Sequence, residues 1–324
     1  MRIHDSIRVV CFGGGTGMPS LLSGLKHNPL LDITAIVDMF DSGGSSGILR
    51  DQYGILPPGD ILRCLLALSE DEVYARKLLL KRIQNHHEPG HTGGNLLLYA
   101  FEKVYGNYLE AVDALAQILS VRGRVIPVTL SPSTLCARYT DSSISKKETN
   151  VDQGLFEGKE IAELFLDPPV QASCEALAAI AKADAICVGP GSFYSSVLSN
   201  FLPAGIRDAV QESRAPIICI ANLLAEGKCM KDSSIMELAR IIEGMVGRKV
   251  SAIIANNTAP TREVAAAYGA EQKYPILPTE SDHADPRLCT ARLWSDVSIA
   301  RHDSARLASV VTFLISKLLG RSKL

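Results

Sequence analysis

Three short apolar runs of this chain each end in a glycine-rich bend, and that repeated pairing limits the folds open to it. Val9-Val10-Cys11-Phe12 runs into Gly13-Gly14-Gly15-Thr16-Gly17, after which the sequence takes up helical spacing. A strand that passes into a helix through consecutive glycines begins a β-α unit of an open sheet. Such a bend also lets backbone N–H groups approach a phosphate at the positive end of the helix. The next apolar run leads to Asp41-Ser42-Gly43-Gly44-Ser45-Ser46-Gly47, and Ala185-Ile186-Cys187-Val188 leads to Gly189-Pro190-Gly191-Ser192. Bends that follow parallel strands lie along one edge of the sheet, so the three are expected to share a crevice.

Candidate strands fall at 8–12, 33–38, 124–129, 185–188, 216–221, 250–255 and 275–277, with amphipathic stretches between many of them. In the last of these, Leu307, Val310, Val311, Leu314, Ile315, Leu318 and Leu319 recur at steps of three and four, with Asp303 placed to cap the start. Ser234 and Glu237 read as a capping box, and Gly247 as the stop of that helix. The fold class expected is α/β: a Rossmann-like, mostly parallel sheet with helices on both faces. Residues 61–120 read as a helical insertion and 131–160 as a polar β excursion or flap, within a single domain spanning 1–324.

Composition narrows the function classes. Lys plus Arg number 33 and Asp plus Glu 35, a formal charge of −2, which speaks against a dedicated nucleic-acid binder. The eight cysteines form no CxxC pair, and several lie in strand-like runs, so all are expected to be reduced thiols of a cytoplasmic protein. No signal-peptide pattern opens the chain, and no apolar run is long enough for a membrane helix.

Each bend carries side chains suited to an anion or a sugar. Gly13, Gly14, Gly15, Thr16 and Gly17 are candidate phosphate holders, although Met18 and Ser20 occupy the places where a dinucleotide fingerprint needs its last glycine. Gly43, Gly44, Ser45 and Ser46 offer further donors, Arg50 an anion partner, and Asp41 a carboxylate for a cation or a ribose hydroxyl. Asp60 is placed to cap a helix or to join a metal. Asn95 opens an apolar helix and serves either as a polar group in a pocket or as a cap. Gly189, Gly191 and Ser192, with Ser195 and Ser196, form another anion loop. His86, His87, Glu88 and His91 have the composition of a metal cluster, but Pro89-Gly90 breaks the helix such a cluster would need. No nucleophile elbow or catalytic triad is apparent from spacing.

The ordered set GGGTG, GGSSG, PPGD and GPGS, together with His91 to Leu98 and Arg301-His302-Asp303, resembles the gluconeogenesis-factor family. These are relatives of 2-phospho-L-lactate transferase in the CofD-like superfamily. The resemblance spans nearly the whole chain. It implies a Rossmann-like core and a bound nucleotide, a UDP-sugar in the gluconeogenesis-factor branch, whose members are cytosolic bacterial proteins needed for normal cell shape on gluconeogenic carbon. In the transferase branch it implies transfer of a phospholactyl-type group from a guanosine diphosphate-linked donor with Mg²⁺. By position, Gly13 to Gly17 and Gly189 to Ser192 would hold phosphates, Asp41 matches a metal-linked acid, and Arg301 matches an arginine implicated in UDP-sugar binding, with Tyr268 its aromatic companion.

The chain also departs from that pattern. Ser42 stands where a second Asp is common, Ile48 where an Arg is, and Leu62-Arg63 where Arg-Asn is expected. After Asn222, Leu223 to Lys228 replace hydroxyl-bearing residues. The function expected is a nucleotide-sugar-binding regulatory protein linking carbon metabolism to cell-wall supply, with Asn95 and Asn222 reading base or sugar. The rivals are a Mg²⁺-dependent transferase using Asp41 and a nicotinamide-dinucleotide protein. Partners expected are a nucleotide-sugar or dinucleotide, with no nucleic acid and no membrane span; self-association is left open.

Overall fold

The computed structural model describes residues 6–83, 90–295 and 299–321. Twelve strands are found among them: β1 (Ile7–Gly13), β2 (Leu31–Val37), β3 (Arg124–Pro127), β4 (Thr134–Tyr139), β5 (Ile144–Lys146), β6 (Ile161–Asp167), β7 (Ala185–Val188), β8 (Ile217–Ile220), β9 (Leu224–Glu226), β10 (Ala252–Asn256), β11 (Lys273–Pro275) and β12 (Leu288–Ala291). Seven of these pair in parallel in the order β12-β10-β8-β7-β1-β2-β3. The chain builds outward from β1 through β2 and β3, then returns to the other side of β1 and builds outward again from β7. The reversal lies between β1 and β7, where open α/β sheets place their ligands.

The interior strands are almost wholly apolar because both faces are covered. All residues of β7, β8 and β10 are buried. Helices Gly17–Leu25, Gly59–Leu68 and Ser304–Leu319 pack together in one layer, and Cys174–Lys182, Ile206–Glu212 and Ile235–Val246 in another. Local signals place several helix ends. Asp303 Oδ1 accepts the Arg306 N–H at 3.0 Å, Ser234 and Glu237 form the reciprocal box, and Gly247 closes its helix in the left-handed conformation.

The helical insertion comprises Gly59–Leu68, Glu72–Leu79, Gly93–Tyr105 and Tyr108–Ile118. The polar excursion is an antiparallel sheet, β5-β4-β6, with helix Glu148–Glu157 between its second and third strands in the chain. It reaches past residue 160, because β6 pairs along nearly all of β4.

One strand was misplaced from sequence. Of 275–277 only Pro275 is in a strand, and β11 pairs antiparallel with β9 outside the main sheet. The seventh strand of that sheet is Leu288–Ala291. It is an edge strand, half-buried along its length, so it lacks the dense apolar run that marked its neighbours. The stretch 193–201 that follows the third bend forms no α-helix: a π turn covers Phe193–Val197 and a 3₁₀ turn Leu198–Phe201.

Candidate functional site

β2, β1 and β7 are adjacent in the sheet, so the three glycine bends that follow them lie side by side at its C-terminal edge. The first and third touch through their backbones. A Cβ on Gly17 would stand 2.8 Å from Gly191 N and from the Pro190 carbonyl carbon, and one on Gly191 would stand 3.0 Å from Gly14 O. Only glycine permits that approach. Asn222, just after β8, locks the third bend: its Nδ2 donates to Gly191 O at 2.7 Å and its Oδ1 accepts the Gly191 N–H at 3.3 Å. The amide expected to read base or sugar holds a peptide of the protein itself.

Thr16 stands where three cavities meet. The first, about 110 Å³, lies over the β1–β7 reversal and is walled by Gly17, Gly191, Ser192, Asn222, Glu226 and His302. The second, about 440 Å³, takes in the second bend (Gly43, Gly44, Ser45 and Ser46) with Asp41, Asp60, Asn95 and Glu148. The third, about 450 Å³, is walled by Arg63, Arg76 and Arg301 around Glu72. Gly15 belongs to the second cavity and Ser192 to the first and second, so both anion loops open onto connected space. Arg301 is exposed at the third. Tyr268 Oη accepts the N–H of the preceding residue, Ala300, at 2.9 Å, which brings the expected aromatic companion to the arginine's segment.

The second cavity is strongly acidic. Burial first, then Asp60, Glu148 and Asp41, push the Asp38 carboxyl well above the usual carboxylate range. Asp41 is raised by burial and by Asp60, although its Oδ1 accepts the Gly43 N–H at 2.7 Å. Burial, with Asp41 and Asp152 close by, lifts Glu148 to about 8, and burial lifts Asp152 to about 7. These last two come from helix Glu148–Glu157, which lies against the bends: Glu148 Oε2 accepts the Ser42 N–H at 3.2 Å and Asp152 accepts from Ser195 Oγ at 3.3 Å. In the first cavity, burial lowers His302 to about 4, so the imidazole is neutral, its Nε2 3.3 Å from Ala221 O.

Asp60 does not cap its helix. Pro58 holds that position, and the Asp60 carboxylate takes the Gly15 N–H at 2.5 Å on Oδ2 and Arg63 Nη1 at 2.7 Å on Oδ1. One amide of the first bend is therefore already bonded within the protein. Asn95 is not a cap either, since Thr92 Oγ1 accepts the Asn95 N–H at 3.3 Å. The Asn95 side chain donates instead to Ser45 Oγ at 3.1 Å, and its buried Oδ1 has no partner. Arg50 lines none of the three cavities. It pairs with Asp51 at 2.9 Å and reaches the Asp41 carbonyl at 3.4 Å.

The Mg²⁺ that the transferase resemblance implies does not suit these residues. Both Asp60 oxygens are engaged, one of them by a guanidinium, and a divalent ion bridging Asp60 and Asp41 would stand beside that positive charge. Among the described residues no three His, Cys, Asp or Glu side chains converge to hold a metal ion. Of the histidine cluster, 84–89 lie outside the described residues; His91 Nδ1 is 3.0 Å from Ser45 Oγ.

Sequence reasoning met Arg63, Glu226 and His302 only as parts of a motif or of a departure from it, not as site residues, and passed over Glu148 and Asp152. A usable signal existed for one pair: Glu148 and Asp152 are four apart, which on a helix places both on one face. The others depend on which helix face or loop meets the rim.

A family profile described as 2-phospho-L-lactate transferase CofD matches residues 9–292. The gluconeogenesis factor of Bacillus subtilis is 31% identical over 96% of this chain and 98% of its own length. That of Halalkalibacterium halodurans is 37% identical over 84% of each. A crystal structure of a Bacillus halodurans protein superposes with a TM-score of 0.88 at 32% identity, covering 95% of this chain and 99% of that one. Profile, relatives and fold agree over nearly the whole length, and the chain belongs to the gluconeogenesis-factor family of the CofD-like superfamily.

Proposed function

We propose that this protein binds a nucleotide-sugar, a UDP-sugar in particular, and acts as a cytoplasmic regulator linking carbon metabolism to cell-wall supply and cell shape. The observation that carries this reading is the meeting of two glycine bends at the β1–β7 reversal, with Thr16 shared by a small cavity, an acidic cavity and an arginine-walled one. A diphosphate at Thr16 would face N–H donors of the bends and lie between Arg63 and Arg301. The unpartnered Asn95 Oδ1 and the hydroxyls of Ser45, Ser46 and Thr149 suit the hydroxyls of a sugar. No helix among the described residues is long and apolar enough to cross a membrane.

Ser45 Oγ lies 3.0 Å from His91 Nδ1 and Ser195 Oγ donates to Asp152 at 3.3 Å, but the metal that a phospholactyl transfer would use finds no suitable ligand set among the described residues, so binding is favoured over turnover. Calorimetry with UDP-sugars tests the reading. Arg301→Ala should weaken binding by more than about tenfold, as loss of a charged partner to a phosphate does. Failure of the unaltered protein to bind any UDP-sugar, or turnover of a nucleoside diphosphate-linked donor, would overturn it.

A further inference from the structure

We propose that Arg63 is the resident counter-cation of the acidic cavity, in the place a divalent ion would otherwise take, so that an anionic ligand binds at the glycine bends without metal. Every other residue of helix Gly59–Leu68 is buried, so apolar packing fixes the helix and delivers this one guanidinium to the rim. Arg63 lies one turn beyond Asp60, holds its Oδ1 at 2.7 Å, and opposes the upward push on Asp41. It also borders both the acidic cavity and the arginine-walled one. With it in the lining of the acidic cavity stand Asp41, Asp60, Glu148 and Asp152. The other base lining the acidic cavity, Arg82, is tied to Gly90 O at 3.0 Å.

A guanidinium serves this place differently from a metal. It is always charged, needs no loading, and presents several donors, so one edge can hold Asp60 while another faces a phosphate. Its charge also repels a cation approaching the same carboxylates. The ligand half of the proposal rests on the nucleotide reading above. The metal half rests on Arg63 and the carboxylates of Asp60 and Asp41, not on that reading.

The two halves are tested separately on the full chain. Titration with Mn²⁺, followed by the electron paramagnetic resonance signal of the free ion, should show no retention by the unaltered protein. Arg63→Gln, which leaves Asp60 and Asp41 uncompensated, should retain Mn²⁺, and Arg63→Lys should not. Calorimetry with pyrophosphate and a UDP-sugar should give affinities equal within about twofold in EDTA and in excess Mg²⁺. Arg63→Gln should weaken binding in EDTA by more than about tenfold and recover part of it with Mg²⁺. Retention of Mn²⁺ by the unaltered protein would overturn the proposal, as would ligand binding that disappears in EDTA. Absence of ligand binding under both conditions would defeat the nucleotide reading and leave the Mn²⁺ titration to decide on Arg63. Should Arg63→Gln fail to fold, the unaltered protein and Arg63→Lys still give the answer.

Discussion

Gly15 and Asp60 are 45 positions apart in the chain, and the N–H of the first donates to the carboxylate of the second at 2.5 Å. The bend after β1 is therefore held by the first helix of the insertion. Gly15 sits at φ +61°, a conformation that L side chains rarely adopt, and its bond to Asp60 fixes the direction of its N–H. The geometry of the bend at this edge depends on two segments that the sequence keeps well apart.

Asp60→Asn should tighten binding of pyrophosphate. The amide oxygen can still accept from Gly15, while one negative charge leaves the cavity and Arg63 is freed toward the ligand. Calorimetry should show a gain of about tenfold, or ~1.4 kcal/mol. Weaker binding would mean that the carboxylate assists the ligand directly.

Stability should depend on pH through helix Glu148–Glu157. Glu148 sits at about 8 and Asp152 at about 7 in the fold, while in the unfolded chain both titrate near about 4. A carboxyl raised in this way contributes stability that is complete below the unfolded value and is lost as pH climbs through the folded one. Thermal midpoints of the native protein and Glu148→Gln should therefore diverge as pH rises from about 5 to about 9, with the variant increasingly the more stable. Parallel curves would show that Glu148 ionises without cost.

Gly17→Ala should separate the first and third bends. The new methyl would lie 2.8 Å from backbone atoms of Pro190 and Gly191, which cannot turn aside as a side chain can. A loss of about 1–3 kcal/mol is expected in urea unfolding, the usual range for overpacking. A stability unchanged by the methyl would mean that the bends tolerate separation.

Asn222→Ala should loosen the third bend. It removes both hydrogen bonds to the Gly191 peptide and leaves that N–H and C=O partly buried and unpaired. The expected cost is about 1–3 kcal/mol, with faster hydrogen exchange around Gly191. Exchange unaltered at Gly191 would assign the loop's rigidity to other contacts.

Much of the frame was legible because apolar periodicity and glycine bends are local. The runs at Val9, Ala185 and Ile217 are continuous and flanked by turns, and the structure makes each of them a strand of the sheet. Leu288–Ala291 was missed because an edge strand buries only part of itself. The site was legible in its backbone and much less in its side chains. Gly17, Gly191, Ser45 and Thr16 stand at the shared rim, yet Asn222 turns to a neighbouring peptide and Arg50 to Asp51.

From the sequence alone came the α/β class and the family, since each rests on local order or on motifs in sequence. The tertiary structure decided how charge is arranged. Spacing along the chain cannot say that Asp60 will reach Gly15, that Arg63 will be the unburied residue of its helix, or that Glu148 and Asp152 will be pressed against Ser42 and Ser195. Protonation and ligand preference follow from distance and burial, and those exist only once the segments have packed.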